Sequence, residues 1–335
     1  MSDELVTSGV LDLAPPQRRT LVADQITQYL EREHKSLNEE VLAGMMKAFE
    51  RSVTRQLMKP RMDRKGYEST TTYTSPCARK ARFAFDGVPG EPVQARAMLK
   101  FLLGDLVELA VVGIAQLAGV DWSMNNRDLW IMGHDGVKVN VHPDGLVAQH
   151  YDDLGVEYFN GEIKSCDSRT FDRWLEQGGP GDDWGYLTQC SVETAAWREA
   201  GYPVFSTVFV AVSTGSRQGS IAEWLIPYDQ KLVDAWHERR MLARGTALPP
   251  IPFQAEDETE YVKGKSIDPE RFTHGEPVPQ LDKNGKIHGW RVPTGRKIIP
   301  TMCGYCSYKQ SCWPNAELDV VGGKPIWITK QAPAS

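Results

Sequence analysis

The chain has 335 residues, of which 41% are hydrophobic and 24% are charged, and its formal net charge is −6. This is the composition of a globular chain that is long enough for one large domain or for two. The acidic balance argues against a protein that coats nucleic acid through its bulk charge, although it is compatible with a local basic groove.

The first residues, MSDELVTSGVLDL, lack the basic start and the apolar run of a signal peptide. The most apolar segment, residues 99–120, contains Asp105 and Glu108, which predicts a core helix and not a membrane span. We therefore expect a cytoplasmic chain without membrane contact. Thiols stay reduced in that compartment, so six cysteines at irregular spacing favour metal ligands and core residues over disulfides.

In chain order, residues 16–58 are rich in helix formers with apolar residues three and four apart, which predicts helices. The basic and then Ser/Thr-rich stretch after them ends at Pro76 and predicts a linker. Residues 77–86 and 93–119 are predicted helices. The later elements are predicted as strands at LWIMG, VKVNVH, DGLVAQ and GVEYFNGEIKS, helices over 167–176 and 185–200, strands at PVFSTVFVAVS and IAEWLIPYD, and a helix over 229–244.

This order of elements predicts an α/β fold with a mixed central sheet flanked by helices. Residues 246–300 are rich in Pro, Gly and charge and show little periodicity, so we expect an irregular segment whose far end is held by a metal site at 303–312. The predicted domains are a helical N-terminal arm with a basic linker over 1–72, a core over 73–245, and the irregular segment with a C-terminal cysteine region over 246–335.

Two carboxylates and a lysine are predicted to converge on one face of the sheet. Asp144 starts a strand directly after Pro143, and Glu162 and Lys164 lie two residues apart on a strand, so both project from the same face. Mg²⁺ or Mn²⁺ prefers such oxygen ligands and can clamp a phosphodiester, while a lysine can orient the attacking water or stabilise developing charge. Taken alone, a Glu-x-Lys pair is most often the exposed face of a strand.

Glu108 lies on a helical stripe whose other positions, from Phe101 to Gly119, are apolar or small. A carboxylate in such a stripe either reaches solvent at its edge or is paired with a cation. A metal ion shared with Asp144 and Glu162 would supply that cation.

Four motifs in this order resemble the RecB-type branch of the PD-(D/E)xK nuclease superfamily. They are Gly104-x-x-x-Glu108, Pro143-Asp144, Glu162-x-Lys164 and Gln189 on a later helix. The resemblance implies a restriction-endonuclease-like core in which Glu108, Asp144 and Glu162 hold the divalent metal. It also implies that Lys164 assists the attacking water and that Gln189 helps to position the site.

One position departs from the family pattern. The family usually has a tyrosine four residues after the glutamine, where this chain has Glu193. Tyr186 lies one turn before Gln189, and which of these residues stands in for the family tyrosine is left open.

Three cysteines cluster near the end of the chain as Cys303-x2-Cys306-x5-Cys312. Zinc ribbons and fingers usually present two close pairs of ligands, which these unequal gaps do not. A [4Fe–4S] cluster takes four thiolates at uneven spacing, and Cys77 is the candidate for the fourth.

One cysteine before the core and Cys-x2-Cys-x5-Cys after it resemble the iron–sulfur RecB-type exonucleases. These include the CRISPR-associated Cas-four proteins, the AddB nuclease domain and eukaryotic exonuclease five. The resemblance covers roughly residues 73–316, and it implies a structural [4Fe–4S] cluster on those four cysteines. Cys166 and Cys190, which flank the predicted carboxylate site, are predicted to be buried small residues.

Together these features predict a Mg²⁺- or Mn²⁺-dependent DNA exonuclease that acts on single strands or duplex ends in recombination, repair or DNA processing. Candidate phosphate contacts are Arg79, Lys80 and Arg82, with further basic residues between Arg51 and Lys65. Candidate base-stacking platforms are Trp174, Trp184 and Tyr186, for which a core position is the commoner role.

Two alternatives stay open at this stage. In the first, the chain is a catalytically weak adaptor that has a nuclease fold and binds DNA ends. In the second, it is a zinc-stabilised DNA-binding protein whose Glu-x-Lys is coincidental. A recombination or helicase partner and a homo-oligomer are compatible with each of these functions.

Overall fold

The computed structural model describes residues 21–32, 38–54, 70–92, 95–123, 127–152, 155–215, 219–266, 268, 274–321 and 324–329. The helices of this part of the chain are α1 Ala23–Glu31, α2 Glu39–Val53, α3 Thr70–Thr74, α4 Ala78–Asp86, α5 Ala95–Leu117, α6 Ser168–Gln177, α7 Tyr186–Glu199, α8 Gln230–Arg244, α9 Thr301–Gly304 and α10 Lys309–Cys312. Its strands are β1 Asp121–Ser123, β2 Leu129–Met132, β3 Lys138–Val141, β4 Gly145–Tyr151, β5 Gly155–Cys166, β6 Val204–Ser213, β7 Ile221–Pro227, β8 Glu256–Lys263, β9 Val278–Leu281, β10 Ile287–Ile298, β11 Glu317–Val321 and β12 Lys324–Thr329.

The predicted order of elements is confirmed from α4 to α8, and the chain is a mixed α/β protein with a mixed sheet flanked by helices. The helical prediction over 16–58 corresponds to two helices, α1 and α2, within the described residues. Of the predicted linker, residues 59–76, the first eleven residues lie outside them, and the remainder contains the short helix α3, which the sequence did not predict. No helix in the described part of the chain has the length and apolarity that a membrane span needs.

The chain divides into two compact units. The first unit contains the described residues of 21–54 and 95–236, and the second unit contains those of 70–92 and 237–329. This division differs from the predicted one, because the segment with Cys77 groups with the C-terminal region and the N-terminal helices group with the central sheet.

The sheet of the first unit has the strand order β1-β4-β5-β6-β7. β5 and β6 are parallel, and the other neighbours are antiparallel. The chain between β5 and β6 holds α6 and α7, which is the long crossover that parallel neighbours require. On one face, Phe159 and Ile163 of β5 pack in a core with Val112 and Ala115 of α5. The opposite face carries Phe209 and the core under α6 and α7.

Trp122 holds the start of β4 against β5. Its ring lies over Gly161, where an added Cβ would stand 2.5 Å from the ring atom Cζ2. Its Nε1 donates to the carbonyl oxygen of Asp144 at 3.2 Å. This contact fixes the backbone at the position from which the Asp144 side chain departs.

Helix α1 belongs to the core of the first unit, whereas the sequence analysis predicts it in an added arm. Val22 and Ile26 are buried in the same core as α5. The carboxylate of Glu223, on β7, accepts from the backbone N–H groups of Val22 and Ala23, both at 2.7 Å. A buried carboxylate thus satisfies the first donors of the helix and complements its N-terminal dipole.

The second unit contains a sheet of order β11-β12-β10-β8, with β9 paired to β10. The prediction of an irregular segment over 246–300 is therefore wrong where β8, β9 and β10 lie. The register of β10 shifts between Pro293 and Lys297, where Gly295 has a φ of 76°, so the strand period is interrupted. Charge also lies inside: Glu258 is buried and accepts from Arg296 Nη2 at 2.7 Å. Such a segment resembles a solvated loop in composition.

Candidate functional site

One face of β5 carries the polar centre of the first unit. Glu162 and Lys164 pair in register with Phe209 and Ala211 of β6, on the face covered by α6 and α7. The ammonium of Lys164 donates to Oε1 of Glu162. Glu162 is only 1% exposed, and its Oε2 has no hydrogen-bond partner among the described residues. A buried carboxylate oxygen without a partner is costly, which makes it the strongest sign of a missing ligand in this unit.

Asp144 lies in the turn between β3 and β4 and reaches across to β5. Its Oδ2 accepts from the backbone N–H of Ile163 at 2.8 Å, which places the carboxylate between Glu162 and Lys164. Burial, followed by the charges of Glu162 and Glu108, raises the pKa of Asp144 well above its usual range. The carboxylates are therefore close enough to oppose each other's ionisation.

Glu108 is half-buried on α5 and lies within electrostatic reach of Asp144. One turn earlier, an added Cβ on Gly104 would stand 3.8 Å from Oγ of Ser165, so the helix runs close to β5 here. The structure thus brings the predicted ligands Glu108, Asp144 and Glu162 into one neighbourhood.

Lys164 carries its proton in this environment. Burial acts to lower the pKa of Lys164, but the charges of Glu162 and Asp144 outweigh it and raise the pKa above its ordinary value. The ammonium also lies 5.8 Å from the ring centroid of Tyr186. In the metal-free protein the side chain is therefore a cation and a hydrogen-bond donor.

Gln189 lies on α7 beside this group and donates from Nε2 to Oε1 of Glu193 at 2.8 Å. Glu193 is 1% exposed. Burial, and then the charges of Glu162 and Asp144, raise its pKa well above the usual range. From the sequence, Glu193 was identified only as a departure from the family pattern, and its partner Asn160 was missed. Asn160 lies two residues before Glu162 on the same strand face, which is the signal that could have found it.

No three His, Cys, Asp or Glu side chains among the described residues are placed as a ready metal-binding group. The carboxylates still fit a divalent cation in donor type, since Mg²⁺ and Mn²⁺ take oxygen ligands. A cation could bind the partnerless Oε2 of Glu162, and it would offset the charges of Glu162 and Glu108 that add to the effect of burial on the pKa of Asp144.

The second unit brings the four predicted cluster cysteines together. Cys77 precedes α4, Cys303 lies on α9 and Cys312 ends α10. Phe83 of α4 packs in one core with Cys303 and Cys312. Burial raises the pKa of Cys303 to about 11, and the thiols of Cys77, Cys306 and Cys312 add to the rise. The four sulfurs are thus near neighbours, although they are not placed at ligand geometry.

Further contacts join α4 and the residues after it to the cysteine segment. The backbone N–H of Glu91 donates to the carbonyl of Ser307 at 2.7 Å, and the Lys309 ammonium donates to the Glu91 carboxylate. The rings of Phe83 and Tyr308 lie 5.4 Å apart. Hydrogen bonds and ring packing therefore hold the α4 region against the cysteine segment, where the four thiols also lie near one another.

Two of the predicted phosphate contacts are engaged inside the second unit. Arg79 is buried and donates from Nε to the carbonyl of Pro249 at 2.6 Å, and Arg82 pairs with Asp86. Neither guanidinium is presented as an open DNA contact. Of the predicted basic residues between Arg51 and Lys65, all but Arg51 lie outside the described residues.

The aromatic candidates also divide. Trp174 is a core residue, packed edge-on against Tyr186 and Phe209 with ring centroids 5.6 Å away in each case. Trp184 is 40% exposed. Of the two other cysteines, Cys190 is buried as predicted, and Cys166 is partly buried against the same core.

No family model matches the chain, and no curated protein matches it. A solved structure described as "Crystal structure of SSO0001" is similar over 59% of this chain and 85% of that chain, at 14% identity and a TM-score of 0.36. A likeness of this strength indicates neither fold family nor function, which rest on the residues and geometry of the chain itself.

Proposed function

We propose that this chain is a Mg²⁺- or Mn²⁺-dependent deoxyribonuclease with a RecB-type PD-(D/E)xK core, acting as an exonuclease on single-stranded DNA or DNA ends. The observation that carries the proposal is the buried carboxylate of Glu162. One of its oxygens is held by Lys164, and the other has no hydrogen-bond partner in the described part of the chain, beside Asp144. A divalent cation satisfies such an oxygen and offsets the crowded negative charge.

In this proposal Asp144 and Glu162 hold the cation, with Glu108 next to them. When bound, the ion would polarise a phosphodiester and make water more acidic. Lys164, which donates to Glu162, would orient the attacking water or stabilise charge that develops on the phosphate. Hydrolysis forms one bond from the water oxygen to phosphorus and breaks the P–O bond to the leaving sugar oxygen, which takes up a proton.

The same proposal assigns a [4Fe–4S] cluster to Cys77, Cys303, Cys306 and Cys312. Support comes from the donor set: Cys303 and Cys312 share one core, and the thiols of Cys77 and Cys306 lie within electrostatic reach of Cys303, although Cys77 is more than two hundred residues away in the chain. When bound, the cluster would cross-link the two segments of the second unit, and its binding energy would add to the folding free energy.

The direct test is cleavage of end-labelled DNA by anaerobically purified protein, with and without Mg²⁺ or Mn²⁺. We expect Asp144→Ala to abolish cleavage and Lys164→Ala to reduce it about 10²- to 10³-fold. Asp121→Ala is the matched control, because Asp121 is an exposed residue of β1 that pairs with His150. Equal cleavage by all four proteins, or cleavage that ignores the metal, would refute the proposal.

A second candidate, a DNA-end-binding adaptor, is favoured by Glu193. This buried carboxyl group stands where the resembled family usually has a tyrosine, beside a site that must approach phosphate. DNA binding that persists without divalent metal and without turnover would support the adaptor. A colourless protein with stoichiometric zinc would replace the iron–sulfur assignment with a zinc site.

A further inference from the structure

Helix α7 carries a row of polar side chains beneath the carboxylate site, and the proposed function uses only its first member. Gln189, Glu193 and Trp197 stand one turn apart on this helix. Asn160 of β5 lies between the last two and is fully buried, as are Glu193 and Trp197. We call these four residues the α7 network.

The hydrogen bond between Trp197 and Asn160 in the α7 network can have only one direction. Trp197 Nε1 donates to Oδ1 of Asn160 at 3.1 Å, and an indole N–H is a donor only. The amide of Asn160 must therefore turn its nitrogen the other way. That nitrogen donates to Oε2 of Glu193 and to Oγ1 of Thr207, both at 3.1 Å.

The α7 network continues from Asn160 through Glu193 to Gln189. Both carboxylate oxygens of Glu193 accept: Oε2 from Asn160, and Oε1 from Nε2 of Gln189 at 2.8 Å. The amide of Gln189 is thus held by its nitrogen, which leaves its carbonyl oxygen as the open end of the side chain.

We infer that Glu193, Asn160 and Trp197 are positioning residues that present Gln189 to the site as a hydrogen-bond acceptor. An acceptor suits an O–H of the attacking water, whereas a donor would bind a phosphate oxygen. The use of this acceptor in hydrolysis rests on the proposed function. The orientation of the amide rests on the hydrogen bonds and on an ionised Glu193, whose two oxygens then only accept.

Glu193→Gln tests the orientation of the Gln189 amide, because glutamine has almost the same shape as glutamate. Trp197 still holds Asn160, so the new amide must turn its oxygen to Asn160 and its nitrogen to Gln189. Gln189 then accepts through its carbonyl and offers its nitrogen to the site. Every buried group keeps a partner, so we expect the unfolding midpoint to stay close to that of the wild type.

Kinetics provide the first readout. We expect Glu193→Gln to lower kcat for DNA cleavage by about 10- to 100-fold with little change in KM, as for other residues that orient a site ligand. Gln189→Glu alone sets two carboxylates against each other and also loses activity. The double variant Gln189→Glu/Glu193→Gln restores an acceptor at position 189, and we expect it to recover activity above either single variant.

The matched control is Glu199→Gln, the same substitution on the exposed end of α7, where the carboxylate accepts from the backbone N–H of Met132 at 3.2 Å. It should cleave DNA like the wild type. A double variant no better than the single variants, or an equal loss in the control, would overturn the inference.

The second readout does not need cleavage. In heteronuclear NMR spectra of isotope-labelled protein, the side-chain amide signals of Gln189 are those missing from Gln189→Glu. We expect Glu193→Gln to shift these signals and to leave the indole N–H signal of Trp197 in place. An unmoved Gln189 amide, or a Trp197 indole that shifts with it, would overturn the inference. A wild type without metal-dependent cleavage refutes the proposed function, and the spectra still decide the orientation.

Discussion

Glu162→Gln removes the negative charge of the buried carboxylate while keeping its shape, and it therefore isolates the cation that we assign to the site. A ligand that binds only the folded state at a hundred times its Kd stabilises that state by about 2.7 kcal/mol. For a unit of this size, each kcal/mol shifts the unfolding midpoint by about 2–4 °C. Saturating Mg²⁺ or Mn²⁺ should then raise the wild-type midpoint by about 5–10 °C.

In Glu162→Gln the same titration should give little or no rise, because the partnerless Oε2 is lost as a charged ligand. The metal-free variant has a second expected change. The charge of Glu162 contributes to the raised pKa values of Asp144 and Glu193, so both should ionise more readily without it.

The assay is thermal unfolding of the metal-free proteins over a series of Mg²⁺ and Mn²⁺ concentrations, with calorimetric titration to obtain the Kd. Glu157→Gln is the matched control: Glu157 lies on the same strand, is exposed, and accepts from the Tyr151 hydroxyl at 3.1 Å. An equal rise in wild type and Glu162→Gln would place the cation elsewhere. No rise in the wild type would refute a metal site at these carboxylates.

Three further predictions concern the fold around the two sites. Burial acts to raise the pKa of Glu258, but hydrogen bonds from Arg296 outweigh it and lower the pKa below 4.5. Glu258→Gln should therefore destabilise the protein at neutral pH, and its unfolding midpoint should converge with that of the wild type as the pH falls below 4.5; a constant gap would contradict this linkage. Cys77→Ala should lower the iron content and the absorbance near about 400 nm of anaerobically purified protein, and full retention of iron would remove Cys77 from the ligand set. Gly161→Ala should cost about 1–3 kcal/mol of unfolding free energy, because its Cβ would collide with the ring of Trp122, and a neutral effect would show that the ring can move aside.

Much of the first unit could be predicted because its signals are local. The helices α5 and α7 and the strands β4 to β7 follow from apolar spacing and from turn residues. The shared face of Glu162 and Lys164 follows from the two-residue period of a strand alone. No helix or strand period predicts that Glu108 and Asp144 lie close together. That prediction came from the order of the motifs, which resembles the nuclease family.

The second sheet was missed because its interior is partly charged. Buried Glu258 pairs with the half-buried Arg296, and the bulge in β10 breaks the alternation that identifies a strand. From its composition alone, such a segment is predicted to be exposed. The pairing of α1 with Glu223 was missed for a related reason: it joins a helix N-terminus to a carboxylate about two hundred positions away.

In the first unit, the sequence by itself determined most of the helices and strands and which side chains share a strand face, because these depend on neighbours a few positions away. Only the tertiary structure decided that Asn160 lies between Glu193 and Trp197 and that Glu162 keeps one oxygen without a partner among the described residues. Hydrogen-bond direction and burial are properties of packed neighbours from distant segments, and no local period in the chain encodes them.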